Sequence, residues 1–237
     1  MKIEVWSDFV CPFCYIGKRK LELALEQFEH KDSVEIEFKS FELDPNAGVY
    51  NGKSIHEALA EKYGMSIEQA KVNNLQIGQH AAEVGLTFNF EEMKPTNTLH
   101  AHRLAKFAET KGKEKAITEK LLYAYFTESK NLSEKETLLD VAEASGLDRK
   151  EAAEILDNES LHLDEVRADE RLAQQYGITG VPFFIFNNKY TISGAQPMET
   201  FMGALNQVWK EENEQPKFKD FGSDNAAGVC TDDNCSI

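Results

Sequence analysis

Near the start of the chain, two short stretches alternate between apolar and polar residues, and a helical pattern lies between them. Residues 3–6 alternate as a strand does, and a second strand is predicted where Val34, Ile36 and Phe38 alternate with charged side chains. An apolar stripe at helical spacing predicts a helix from about Pro12 to Phe28. Two strands joined by a crossover helix should lie parallel in one sheet.

The middle of the chain differs, because its apolar residues keep a helical spacing from residue 54 to about residue 176. Glycines between these segments are typical of helix C-termini. Ser133, with Glu136 three residues later, predicts a capping box at the start of one helix. The predicted helices are Ser54–Tyr63, Ile67–Val84, Asn97–Lys111, Lys113–Thr127, Glu134–Ala144, Arg149–Asp157 and His162–Tyr176.

Strand character returns towards the end of the chain, at residues 181–186 and 190–193, with a turn between them. A last helix is predicted from Met198 to about Glu211. The order of elements is therefore β-α-β, then a helical block, then β-β-α. The two flanking pieces would complete one another as a four-stranded mixed sheet with helices packed on it.

This order predicts an α/β protein with an insertion. The sheet-containing domain is split between residues 1–48 and residues 177–214, and residues 49–176 form an inserted all-helical domain. Residues 215–237 are rich in Gly, Asp and Asn and have little to bury, so they are predicted to form a mobile C-terminal tail.

Charge and hydropathy argue against two classes of partner. The net charge is −15, and such a surface repels phosphate backbones and anionic membrane surfaces, so we expect neither nucleic acid nor a membrane as partner. No stretch approaches the ~18 apolar residues that span a bilayer. Because no apolar leader follows Met1, we expect a cytoplasmic protein. A monomer and a homodimer are both compatible with the sequence.

The cysteines carry the candidate chemistry, and they form two close pairs, Cys11-x2-Cys14 and Cys230-x4-Cys235. In a cytosolic chain, such pairs are more often catalytic or metal-binding than structural. Cys11 falls at the start of the first predicted helix, where unpaired N–H groups and the macrodipole favour a thiolate nucleophile. Cys14 follows one turn later on the same side, so it can resolve a mixed disulfide, and Pro12 suits the first helical turn.

The cysteines allow two other interpretations. All four could bind one zinc ion, but zinc ribbons usually repeat the tight spacing, whereas here one pair opens a helix and the other lies in a polar tail. The first pair could also be inert and buried, which its place between strand and helix disfavours. His100 and His102 lie two apart on a predicted helix and cannot ligate together, so we expect them to pack or to line a cleft.

Two separate segments carry a resemblance to a known family. Trp6–Gly17 resembles the opening of DsbA-family thioredoxin-fold oxidoreductases and is most similar to the FrnE-like subgroup. Gly177–Phe184 resembles the segment of that family that contains a cis-proline, and Asn97–Leu104 resembles part of its helical domain. The first two motifs lie in the right order, about 170 residues apart, and the resemblance extends to about Trp209. It implies a split thioredoxin fold with an inserted helical domain.

The resemblance also implies roles for residues around the first cysteine pair. Val181–Pro182 would be a cis peptide beside Cys11, and the backbone of Val181 would pair with an extended substrate peptide. Pro12 and Phe13, between the two cysteines, would belong to the same substrate-binding surface. In the FrnE-like subgroup a second Cys-x4-Cys pair can occur, so Cys230 and Cys235 would be an accessory redox pair. The sequence leaves open whether they exchange with the first pair or form their own exposed disulfide.

These observations predict a thiol–disulfide oxidoreductase or disulfide isomerase that acts on protein or peptide disulfides, with Cys11 as nucleophile and Cys14 as resolving thiol. A cytoplasmic setting favours reduction or isomerisation over oxidation. We expect no cofactor and no metal, with glutathione as a candidate redox partner.

Two alternatives have other chemistry. Hydroxychromene-carboxylate isomerases and kappa-class glutathione transferases share this architecture and bind glutathione, but they typically have serine in the place of the first cysteine. The other alternative is a non-catalytic binding module with zinc on its cysteines.

Overall fold

The structure is a computed structural model that describes residues 1–213 and, further on, the backbone of two short strands at 229–231 and 234–236. Four strands form the main sheet, namely β1 (Lys2–Ser7), β2 (Glu35–Ser40), β3 (Phe183–Phe186) and β4 (Tyr190–Ser193). Their order across the sheet is β2-β1-β3-β4. Strand β1 runs parallel to β2 and antiparallel to β3, which confirms both the predicted parallel pair and the mixed sheet.

The helices follow the predicted order along the chain. They are α1 (Pro12–Gln27), α2 (Ile55–Tyr63), α3 (Ile67–Ala82), α4 (Leu99–Thr110), α5 (Glu114–Phe126), α6 (Lys135–Ala144), α7 (Arg149–Asp157), α8 (Leu163–Gln175) and α9 (Met198–Asn213). A short 3-10 turn at Lys31–Ser33, which the sequence pattern did not indicate, precedes β2.

The capping box predicted at Ser133 is wrong. Helix α6 has Glu134 as its N-cap without a side-chain cap, and the Ser133 hydroxyl donates instead to Asn131 Oδ1 at 2.8 Å. The Asn131 side chain therefore competes with the first backbone N–H groups of α6 for the Ser133 hydroxyl. A complete capping box occurs at α2, where Ser54 and Glu57 satisfy each other's backbone N–H groups.

Apolar side chains pack against both faces of the sheet. On one face, Val5 of β1 and Phe184 of β3 pack with Leu205 of α9 in a cluster that includes the inner side of α1. On the other face, Trp6 is completely buried with Ala173 of α8, and its indole N–H donates to the carbonyl of Asp169 at 3.4 Å. Burying a large apolar side chain stabilises the fold by roughly 1.5–3 kcal/mol.

Helix α1 packs on the sheet and also contacts the helices that lie between β2 and β3 in the sequence. Tyr15 lies in the largest apolar cluster, which consists mainly of residues of those helices. Its hydroxyl donates to Glu119 of α5 at 2.6 Å, and the same carboxylate pairs with Lys18 and, at 3.0 Å, with Arg19. The helix that carries Cys11 and Cys14 is thereby held both against the sheet and against α5.

The C-terminal tail of the prediction falls mostly outside the described residues. Within it, β5 (Val229–Thr231) pairs antiparallel with β6 (Asn234–Ser236), and the Cα of Cys230 lies opposite that of Cys235. The sequence pattern predicted no strand there, because three-residue strands are too short to show an alternation.

Among the helices that the structure describes, none has the length and apolar character needed to cross a membrane.

Candidate active site

The cysteine pair lies where β1 gives way to α1. Cys11 is the N-cap residue of the helix, with extended backbone, and Pro12 occupies the first helical position as predicted. The Cys11 N–H donates to the carbonyl of Asp8 at 3.2 Å, which closes the turn between strand and helix. The first turn of α1 carries no acidic residue, so nothing there opposes the effect of the helix dipole on an anion at Cys11.

Both cysteines are free thiols and lie almost completely inside the protein. Cys11 is 4% exposed and Cys14 is 2% exposed. Phe13, between them, is 43% exposed and presents an apolar ring at the surface beside the thiols. The site is therefore a shielded pair of thiols with an exposed aromatic residue between the two cysteines in the sequence.

A loop from the far end of the chain completes the site. The Val181–Pro182 peptide bond is cis in the structure, and the Cys11 thiol donates to the carbonyl of Val181 with a sulfur–oxygen distance of 3.6 Å. The Pro182 carbonyl accepts from the Gly194 N–H at 2.8 Å, which ties this loop to the end of β4. Strand β3 begins only at Phe183, because Pro182 has no N–H to donate to a neighbouring strand.

Burial distinguishes Cys14 from its partner chemically. Burial raises the pKa of the Cys14 thiol well above its ordinary value, and the neighbouring Cys11 raises this pKa further. Hydrogen bonds from the Asp8 backbone and the Ser7 side chain act in the opposite direction and do not offset burial. Burial therefore favours the protonated form of the Cys14 thiol.

Sequence reasoning missed the most buried charged group of the site, Asp8. Its side chain is 1% exposed, and its carboxylate accepts from the Leu43 N–H at 2.8 Å and lies 3.3 Å from His102 Nε2. Asp8 thus joins the loop that carries Cys11 to the loop after β2 and to helix α4. The sequence signal for Asp8 was its position three residues before Cys11. The residues that it contacts lie far along the chain, so the contacts themselves could not be predicted.

The two histidines singled out from the sequence have different environments. His102 is buried, and its ring packs against Phe9 with a centroid distance of 4.7 Å. His100 lies 2.9 Å from the guanidinium of Arg103 through its Nδ1. Burial, with the positive charge of Arg103, lowers the pKa of His100. His102 therefore belongs to the surroundings of the cysteine pair, whereas His100 contacts Arg103 of its own helix.

For the accessory pair, Cys230 and Cys235, the structure describes the backbone but not the side chains. In the part of the chain with described side chains, no three His, Cys, Asp or Glu residues are grouped as a metal site would require. The four-cysteine zinc hypothesis needs the tail side chains, so it stays untested.

Comparison with known proteins places this geometry in a family. A family profile described as DSBA-like thioredoxin domain matches residues 2–206. The solved structure of a probable DsbA oxidoreductase, SCO1869 from Streptomyces coelicolor, is 38% identical, with a TM-score of 0.86 over 100% of this chain and 99% of that one. The uncharacterized protein YwbO of Bacillus subtilis is 28% identical, over 89% of this chain and 98% of its own length.

More distant structures share the fold. The cytosolic disulfide reductase DsbM from Pseudomonas aeruginosa, solved also with GSH, is 16% identical with a TM-score of 0.59, over 89% of this chain and 100% of that one. A 2-hydroxychromene-2-carboxylate isomerase is likewise 16% identical, with a TM-score of 0.64 over 90% and 98% of the two chains. Since the family profile matches most of the sequence and the thioredoxin-type sheet holds a cysteine pair beside a cis-proline loop, the chain belongs to the DsbA-like thioredoxin family.

Proposed function

We propose that this protein is a thiol–disulfide oxidoreductase that reduces or isomerises disulfides in proteins or peptides. One observation carries the proposal, namely the position of Cys11 at the N-terminus of α1, with its sulfur 3.6 Å from the carbonyl of Val181 and Cys14 one turn away. A helix N-terminus favours the thiolate that attacks a disulfide, and the backbone of the loop beside it is where an extended substrate would pair as an added strand.

The reaction takes place in two exchanges. The Cys11 thiolate attacks one sulfur of the substrate disulfide, so a Cys11–substrate disulfide forms and the other substrate sulfur leaves as a thiolate. Cys14 then attacks Cys11 Sγ, a Cys11–Cys14 disulfide forms, and the second substrate sulfur leaves. The substrate has gained two electrons and the enzyme has lost them. A dithiol protein or two molecules of glutathione then return the enzyme to its reduced state. In isomerisation, a substrate thiol displaces Cys11 instead.

The substrate peptide is proposed to lie along the loop before β3. Val181 supplies backbone groups for an added strand, Pro182 fixes the loop against α1, and Pro12 with the exposed Phe13 offers apolar surface beside the thiols. The protein is negatively charged, so neutral or basic peptides should meet the site more readily than acidic ones.

We propose that the exchange runs in the direction of substrate reduction and that it takes place in the cytoplasm. The structural neighbour DsbM is named a cytosolic disulfide reductase and has been solved with GSH, which supports glutathione as a redox partner here. We also propose that Cys230 and Cys235, as in the FrnE-like subgroup, form an accessory redox pair. Their Cα atoms lie opposite each other in paired strands, which suits a pair of thiols that forms a disulfide.

A glutathione-dependent isomerase or transferase is the alternative on the same fold. The chain has cysteine where such enzymes typically have serine, and a second cysteine follows at the resolving position. Incubation with glutathione and an electrophile separates the two: turnover that survives Cys11→Ser would favour the alternative.

The test of the proposed function is the equilibrium of the Cys11–Cys14 disulfide against glutathione buffers, measured on the full chain and on a chain that ends before Cys230. A potential below roughly −250 mV identifies a reductant, whereas one above roughly −180 mV identifies an isomerase or an oxidant and overturns the preference for reduction. Cys14→Ser should trap a mixed disulfide with a peptide substrate, whereas Cys11→Ser should form none. An unchanged potential and turnover after truncation would show that the tail pair takes no part.

A further inference from the structure

Helix α1 contacts the loop that follows β4 as well as the loop that precedes β3. Gly17 lies one turn after Cys14, and a Cβ atom built on it would lie 3.0 Å from Pro182 Cγ and 3.5 Å from the Cα of Ala195. Residues three apart on a helix share a face, so Lys20 follows Gly17 on this side of α1. One face of the helix that carries the cysteines therefore packs on both loops at once.

The ammonium group of Lys20 binds a backbone carbonyl of the loop after β4. Its Nζ donates to the carbonyl of Ala195 at 3.0 Å, across 175 residues of sequence. The two preceding residues of the helix, Lys18 and Arg19, pair instead with the carboxylate of Glu119. Within the described residues, no other group donates to the Ala195 carbonyl. A charged donor makes a stronger hydrogen bond than a neutral one, so this contact holds the loop against α1.

Backbone hydrogen bonds tie the loop that contains Ala195 to the loop before β3. Gly194 has a φ of +77°, a left-handed conformation that suits glycine, and its N–H donates to the carbonyl of Pro182 at 2.8 Å. The Gln196 N–H donates to the Gly194 carbonyl at 2.9 Å, which closes a tight turn around Ala195. Because the turn is closed, a displacement of Ala195 moves Gly194 and its hydrogen bond to Pro182.

Pro182 directly follows the residue that pairs with substrate in the proposed function. The Val181 carbonyl accepts from the Cys11 thiol, with a sulfur–oxygen distance of 3.6 Å. An extended peptide that pairs with the Val181 backbone needs this backbone at a fixed distance from the Cys11 sulfur, whereas a small disulfide needs only access to the sulfur. The series of contacts from Lys20 through Ala195 to Val181 therefore affects peptides more than small disulfides.

We propose that Lys20 is a positioning residue for peptide substrates. By holding Ala195, it fixes the turn that begins at Gly194 and so sets where the Val181 backbone lies relative to the Cys11 sulfur. Lys20 acts through this loop and not on the reacting sulfur atoms. The substrate class that depends on it is an extended peptide around a disulfide-bonded cysteine, and a disulfide without flanking peptide does not depend on it. This inference rests on the proposed function, because it concerns how that reaction selects its substrate.

Two probes with the same reacting bond separate these substrate classes. One is a blocked peptide of about eight residues, without charged side chains, whose central cysteine carries thionitrobenzoate in a mixed disulfide. The other is N-acetylcysteine amide that carries the same group. The Cys11 thiolate attacks the cysteine sulfur of the probe, a new S–S bond forms, and thionitrobenzoate leaves with the bonding electron pair as a coloured thiolate. Stopped-flow measurements on the full chain with Cys14→Ser follow this single exchange.

Lys20→Met keeps the length of the side chain and removes the donor. We expect it to lower the second-order rate constant for the peptide by about fivefold, through a higher half-saturation concentration, and to leave that for N-acetylcysteine amide unchanged. Lys20→Arg should restore the wild-type behaviour, because a guanidinium group also donates. Lys189→Met is the matched control, since it removes the same charge from the turn at the other end of β3 and β4, where Lys189 pairs with Glu211. It should leave both probes unchanged.

Hydrogen exchange gives a second measurement that does not depend on the reaction. Lys20→Met should speed the exchange of the Gly194 N–H by about fivefold, because the turn loses its contact with α1, and should leave exchange within β3 unchanged.

Three outcomes overturn the inference and leave thiol–disulfide exchange intact. They are a folded Lys20→Met protein with an unchanged rate constant for the peptide, an equal slowing of both probes, and a Lys20→Arg protein that behaves as Lys20→Met does. If Lys20→Met does not fold, Lys20→Gln, whose side chain is one atom shorter, takes its place, and failure of both to fold also overturns the inference. By contrast, the proposed function itself fails if the protein with Cys11 intact releases thionitrobenzoate from the two probes no faster than Cys11→Ser does.

Discussion

At Gly17, helix α1 passes so close to the loop before β3 that an added methyl group would push against its neighbours. A Cβ atom built there would lie 3.0 Å from Pro182 Cγ and 3.2 Å from the ring of Phe184. Glycine inside a helix usually costs about 0.5–1 kcal/mol relative to alanine, so its use here indicates a need for close approach. The residue lets the helix with the cysteines pack directly on Pro182.

Gly17→Ala should therefore destabilise the protein by about 1–2 kcal/mol despite the better helix propensity, and should lower disulfide reduction because Cys11 moves away from Val181. Gly203→Ala, in the middle of α9, is the matched control, since a Cβ there meets nothing within 4 Å. The control should gain about 0.5–1 kcal/mol. Denaturant unfolding and a turnover assay on both variants measure these effects, and equal stabilisation of both would show that the contact at Gly17 is tolerated.

At the scale of elements, the outer edge of β2 is covered by side chains of the inserted helices. The Phe38 N–H donates to Glu114 at 2.9 Å, and the Ser40 N–H donates to Asp169 at 2.9 Å. Lys106 Nζ donates to the Phe38 carbonyl at 3.2 Å and pairs with Asp169 at 2.7 Å. An uncovered edge strand invites pairing with other chains, so these contacts protect the sheet and attach the helices to it.

The raised pKa of Glu114 makes this attachment sensitive to pH. Its value is about 7 in the fold against an ordinary 4.5, so the folded protein binds this proton more tightly than the unfolded chain does. The contribution of Glu114 to the free energy of unfolding is therefore full below about pH 4.5 and is lost as pH rises through 7. The loss amounts to at most about 3 kcal/mol.

Glu114→Gln should remove this pH dependence. The difference in unfolding free energy between variant and wild type should shift in favour of the variant by up to about 3 kcal/mol between pH 5 and pH 8. Urea denaturation at several pH values measures it, and comparing the two proteins cancels groups that titrate alike in both. A difference that stays constant over this range would contradict the raised pKa.

The order of the elements could be predicted from the sequence because helix and strand periodicity is local. The parallel pair of β1 and β2 followed from the crossover helix between them, and the mixed sheet followed from the two flanking pieces. Element ends were less accurate, as at Ser133, since a neighbouring asparagine competes for the cap. Cys11, Cys14 and Pro182 could be singled out as candidates because they belong to short motifs.

Contacts between distant residues could not be predicted in the same way. Asp8 and His102 meet across 94 residues of sequence, and Glu114 reaches Phe38 across 76. No spacing rule connects such positions, because their proximity is a product of how the inserted helices pack on the sheet. His102 was singled out for its chemistry, but its partner was visible only in the fold.

At the scale of the whole molecule, Asp8 and His102 connect the cysteine loop to the inserted helices. Asp8 holds His102 and the Leu43 N–H through its carboxylate, while its backbone carbonyl accepts from Cys11. Loss of one partner leaves a buried carboxylate short of a hydrogen bond, which costs more than any surface contact. The position of Cys11 is therefore coupled to the packing of α4.

His102→Ala should lower the free energy of unfolding by about 2–4 kcal/mol, since it removes the partner of a buried carboxylate and the ring that packs on Phe9. His80→Ala is the control, because His80 on α3 is exposed and lies 3.5 Å from an exposed Glu83, a contact worth less than about 0.5 kcal/mol. Where the folded fraction is high, His102→Ala should also slow the reaction of Cys11 with 5,5′-dithiobis(2-nitrobenzoate), because the loop that holds Cys11 loses a contact with α4. A variant as stable and as fast as His80→Ala would mean that Leu43 alone holds Asp8 in place.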